Sequence, residues 1–112
     1  MGNVRVIKNK DRRDEWSFAK LYAEGEGPSK VIEKMKKAIP ADEWEKGPDL
    51  ETYWWYDPKY EDSTEVDKSW FQRHGGTFVG SFVMKGKHYT LEVNVSKRKG
   101  KWYGKGNTEN ID

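Results

Sequence analysis

The sequence predicts an α+β domain: an antiparallel sheet of five to six strands with two helices, in the order ββα-β-α-βββ, free to curl toward a half-barrel. Three observations predict it. Residues 88–96 alternate strictly, with Tyr89, Leu91, Val93 and Val95 on one side and His88, Thr90, Glu92, Asn94 and Ser96 on the other, the period of a half-buried strand. Residues 28–39 instead place Val31, Ile32, Met35, Ala38 and Ile39 at helical spacing. Strand-like runs joined by glycine-bearing turns fill the last third, as antiparallel neighbours require. The 112 residues suffice for one core and not for two. The expected organisation is a single domain over 1–106 and a mobile tail over 107–112.

The elements follow in order. Val4, Val6 and Ile7 mark a short strand. After the polar turn at residues 8–15, the run from Trp16 to Gly25 reads as its partner, with Ala19, Leu21 and Ala23 on one parity. Pro28 and Ser29 start the first helix, Lys36 and Lys37 suit its C-terminal dipole, and Pro40 ends it. Residues 41–49 read as a loop or single helical turn with Trp44 as a plug. The run from Leu50 to Asp57 is a strand, closed by Pro58. A second helix is expected from Asp62, where Asp62 and Glu65 imitate a capping box, to the break at Gly75-Gly76. Three meander strands complete the chain, with turns at Lys85-Gly86-Lys87 and Lys97–Gly100.

Hydrophobic residues make up only 34% of the chain and mean hydropathy is −1.11, yet there are six Trp and six Tyr. Burial therefore has to come from a few large rings. The stretch Tyr53-Trp54-Trp55-Tyr56 sharpens the point, because a strand sends two of these rings to each face. Two helices cover one face of an open sheet. The sheet must then curl shut, or a second copy must cover the other face as a homodimer, or the rings form a working surface.

Charge is unevenly spread around a net of +2. Residues 40–67 carry ten Asp/Glu and two Lys/Arg, whereas residues 76–106 carry seven Lys/Arg and one Glu. Such poles orient charged partners. The chain has no cysteine, which excludes disulfides and thiolate metal sites and points to a reducing, cytoplasmic setting. No apolar run reaches membrane-spanning length, so no membrane partner is expected.

Neither histidine, His74 or His88, belongs to a metal-binding spacing, and no nucleophile or phosphate-loop motif occurs. The expectation is a non-enzymatic binding protein without metal or cofactor. Lys97, Arg98, Lys99, Lys101 and Lys105 surround Trp102 and Tyr103 in sequence, and Arg12 and Arg13 in the first turn are expected to extend the path. Cations for phosphates and rings for bases form the signature of single-stranded nucleic-acid binding. The alternative is a protein-binding module, in the manner of an inhibitor, adaptor or antitoxin, that uses Trp44, Trp54, Tyr56 and Tyr60 amid carboxylates.

Overall fold

Alternating polar and apolar residues lay most of the chain into strands that lie on one another's register. The computed structural model describes residues 4–10 and 14–112. Its strands are β1 (Arg5–Ile7), β2 (Lys20–Gly25), β3 (Glu43–Trp44), β4 (Glu51–Asp57), β5 (Asp62–Val66), β6 (Gly76–Met84), β7 (Lys87–Arg98) and β8 (Lys101–Asn110). Its helices are α1 (Pro28–Ala38) and α2 (Lys68–His74). The eight strands of the described residues form one antiparallel sheet of order β1-β2-β8-β7-β6-β4-β5, with β3 beside β6.

The α+β class stands as read, with more strands than expected. The sheet does not curl into a barrel; β1 and β5 remain its two edges. The second helix is shorter at its start than the sequence suggested. Residues 62–66 instead form β5, with Val66 opposite Tyr53 and Thr64 opposite Trp55. The true cap is Asp67, whose carboxylate accepts from the Trp70 amide at 2.9 Å. Cross-strand pairing with an aromatic strand outweighed the imitation capping box.

Other boundaries moved for similar reasons. The strand expected from Trp16 begins only at Lys20, because Phe18 has φ 63 and turns the chain. Trp44 lies in the two-residue strand β3 opposite Phe82, rather than in a helical turn. The expected tail 107–112 is also corrected: Asn107–Asn110 complete β8, and Thr108 is fully buried. The Thr108 hydroxyl donates to the Trp16 carbonyl and accepts from the Ala19 amide at 3.1 Å. That pair of bonds fastens the segment before β2 to the end of β8.

Both helices lie on one face. There α1 buries Val31, Ile32 and Met35, and α2 buries Phe71. Beneath them lie Leu21, Phe78, Phe82, Tyr89, Leu91 and Val93. The helix α1 approaches the sheet closely over Gly104, where an added Cβ would collide with Val31 and reach Met35 at 3.1 Å. The four rings of residues 53–56 divide by parity. Tyr53 joins the core, 5.0 Å from Phe71 and 5.5 Å from Phe78, and Trp55 stands 5.9 Å from Trp70 beside α2. Trp54 and Tyr56 take the other face, where Trp54 donates to Thr52 at 2.9 Å.

Two carboxylates tie the covered layer together at its margins. Burial alone would raise the Glu51 carboxyl, but hydrogen bonding from Tyr53 and the charge of Lys36 outweigh it and hold it below its usual value. The Lys36 ammonium lies 3.5 Å from Glu51 and over the rings of Trp44 and Phe78. Asp14 likewise ends below its usual value: burial raises it, while hydrogen bonds from Tyr89, Asn110 and the Trp16 amide, with Lys87 nearby, lower it further.

Candidate nucleic-acid interface

The helix-free face follows directly from strand parity. Because Leu21 and Ala23 point into the core, Tyr22 and Glu24 point away; because Gly104 and Gly106 meet α1, Tyr103 and Lys105 point away. The register then builds a row across the open face: Arg5 opposite Tyr22, Tyr22 opposite Lys105, Lys105 opposite Asn94, Asn94 opposite Thr77, Thr77 opposite Trp54. Most of the rest of this face is polar, through Thr52, Ser81, Thr90, Glu92, Ser96 and Asn107. Rings and cations gather at one end.

Two concavities mark that end. The first, about 490 Å³, is lined by Arg5, Tyr22, Arg98, Tyr103 and Lys105 among others. The second, about 460 Å³, shares Arg98, Tyr103 and Lys105 and continues to Asn94, Thr77, Trp55, Tyr56 and His74. The two adjoin through these three shared residues. Arg5 lies over the Tyr22 ring at 5.6 Å and Arg98 over the Tyr103 ring at 5.7 Å, within cation–π range.

The second concavity exists because β6 starts late. Strands β4 and β7 both run antiparallel to β6, so they point the same way and their turns share one end of the sheet. β6 begins at Gly76, opposite Val95, while β4 runs on to Asp57 and β7 to Arg98. Beyond Gly76 no strand separates the two hairpins, and the cleft lies between them. The exit from α2 forms its floor through Gly75-Gly76, at φ 76 and 129. A side chain at Gly75 would strike the Val95 carbonyl and Trp102, and one at Gly76 the Trp54 carbonyl.

The hairpins flanking the cleft differ in charge. The β4–β5 hairpin presents Asp57, Glu61, Asp62 and Glu65, and the β7–β8 hairpin presents Lys97, Arg98, Lys99, Lys101 and Lys105. Lys101 lies 3.9 Å from Glu24. Arg5, Arg98, Lys99 and Lys105 have no carboxylate partner within 4.0 Å among the described residues. Of these cations, Arg5, Arg98 and Lys105 stand beside the half-exposed Tyr22 and Tyr103, with Glu24 among them.

The residues singled out in the sequence are therefore divided. Arg98, Lys101, Tyr103 and Lys105 share the open face. Lys97 and Trp102 pair on the covered side, with the Lys97 ammonium 5.7 Å from the indole. Lys99 occupies the turn itself, at φ 51. Arg12 and Arg13 lie outside the described residues. Of the alternative set, Trp44 packs against Phe82 at 4.7 Å, and Trp54 is half-buried against Thr52. Tyr56 and Tyr60 are 53% and 70% exposed, on and beyond the end of β4. These four rings do not form one surface.

Arg5, Tyr22 and Asn94 were not foreseen as site residues. The alternation of residues 5–7 and 20–25 carried the signal for the first two, since it opposes them to Val6, Leu21 and Ala23. Their placement beside Lys105 depends on β2 pairing with β8, which no local pattern reveals. Among the described residues, no group of three or more His, Cys, Asp or Glu is placed to hold a metal ion. Among the same residues, no helix is long and apolar enough to cross a membrane. No family model matches the chain, and no match was found among curated proteins or solved structures.

Proposed function

We propose that this chain is a non-enzymatic, cytoplasmic binding protein whose open sheet face takes single-stranded nucleic acid. The observation that carries this reading is the groove itself, where Arg5, Arg98 and Lys105 alternate with Tyr22 and Tyr103 over two joined concavities. Phosphates meet the cations, and bases stack on the tyrosines, each such stack being worth roughly 1–3 kcal/mol. Sheet faces with exposed rings bind unpaired strands because duplex bases keep their faces to one another.

The test is fluorescence anisotropy with a labelled twelve-nucleotide single strand, in RNA and DNA forms. Binding should weaken steeply between about 50 and 200 mM salt, and a duplex of the same sequence should bind less tightly. Replacing Arg98 and Lys105 together by Ser should flatten the salt dependence by about 0.7 per cation removed on a log–log plot. Absence of salt-sensitive binding to either strand ends the reading.

A second reading has its own observation. Trp55, Tyr56 and Tyr60 are exposed at the acidic hairpin, and rings amid carboxylates suit a basic protein partner. Capture of a protein from the native host that is lost in Tyr56→Ala and Tyr60→Ala, with no nucleic-acid binding, favours it.

A further inference from the structure

We propose that the cleft between the β4–β5 and β7–β8 hairpins seats one unpaired nucleobase, and that Asn94 reads the edge of that base. This rests on the nucleic-acid reading above and makes it more specific. The groove could in principle hold a strand by its phosphates alone, with bases turned to solvent. The construction of the cleft argues otherwise.

Its walls are rings: Trp55 and Tyr56 on the β4 side, Tyr103 on the β8 side. Its cations stand on one wall only, since Lys97, Arg98 and Lys105 all belong to β7 and β8. A nucleotide with its phosphate against Arg98 and Lys105 therefore places its base between Tyr103 and the aromatic β4 wall. The cleft volume, about 460 Å³, is in the range of small-ligand sites. The absence of β6 beyond Gly76 provides the depth that a continuous sheet would lack.

Asn94 lies on the inner side of this space, on the open face of β7 and opposite Lys105. Its Oδ1 accepts from the Thr77 hydroxyl at 2.7 Å, which fixes the amide plane and leaves the Nδ2 hydrogens to donate. A ring carbonyl or ring nitrogen of a base is the matching acceptor, and side-chain amides are recurrent readers of base edges. Asn94 is exposed, and Thr77 is the only partner of its side chain among the described residues, so its loss leaves the core intact.

The experiment compares two labelled twelve-nucleotide single strands, one ordinary and one in which every base is replaced by an abasic linker. Charge is the same in both. The ordinary strand should bind at least about fivefold more tightly, the lower end of one stacked base. Asn94→Ala should weaken the ordinary strand and leave the abasic strand unchanged. Equal binding of the two strands by the unmodified protein overturns the base-seating proposal while the phosphate-binding face stands. Equal weakening of both strands by Asn94→Ala removes Asn94 from its assigned role. Binding of neither strand ends the proposal together with the function it rests on.

Discussion

The two faces of the sheet are written by the same strands and differ in what each alternate residue does. On the covered face, Phe78, Phe82, Leu91 and Val93 are fully buried in the core. On the open face, Thr77, Val79, Glu92 and Asn94 are their sequence neighbours, and little packs on them. Trp102 and Tyr103 show the difference in one step: one ring faces the helix side beside Lys97, the next faces the groove beneath Arg98. Composition alone does not separate these two rings; strand parity does.

This division is broken most directly at its centre. Phe78→Ala, at a site with no exposure, should cost about 3–5 kcal/mol, a large part of the total stability of a domain this size. Chemical denaturation measures it. Thr108→Val should come next, at about 1–3 kcal/mol, because the buried Trp16 carbonyl and Ala19 amide lose their partner. Val matches the shape of Thr, so the loss reports the hydrogen bonds rather than a cavity.

The opposite face should behave in the opposite way. Tyr103→Ala is expected to change the denaturation midpoint far less than Phe78→Ala, while weakening single-strand binding by about thirtyfold, the middle of the range for one stacking ring. A Tyr103→Ala variant that unfolds, or one that binds as before, would erase the functional contrast between the faces.

The smallest effect concerns Asp14, at the margin where Tyr89 meets the segment before β2. Its folded carboxyl lies below the 3.8 of an ordinary aspartate. The unfolded chain therefore takes up the proton first as pH falls. The contribution of Asp14 is complete above its unfolded value and disappears as pH drops through the lower folded one. Melting temperature recorded at pH 6 and pH 3 should fall more for the unmodified protein than for Asp14→Asn. Equal losses would show that the Tyr89 and Asn110 contacts do not favour the ionised form.

The covered face was the more legible of the two. The alternation of residues 88–96 placed Tyr89, Leu91, Val93 and Val95 correctly, and helical spacing picked out Val31, Ile32 and Met35, because burial acts on local periodicity. The boundary errors arose where distant pairing overrode local pattern. Residues 62–66 became a strand because β4 was beside them, and residues 107–110 became a strand because β7 pairs with all four of them. The groove was less legible still. Arg98, Tyr103 and Lys105 were visible as a basic aromatic cluster, but Arg5 and Tyr22 reach them only through the β2–β8 pairing, and the cleft only through the late start of β6.

The position of β8 has a further consequence for how the protein is made. It lies between β2 and β7, joining an N-terminal hairpin to the remainder of the sheet. A nascent chain lacking it has no strand that joins β1 and β2 to the rest of the sheet, and Val31 and Met35 lack the Gly104 surface that receives them. Deleting this one ribbon would cut the sheet in two rather than trim its margin.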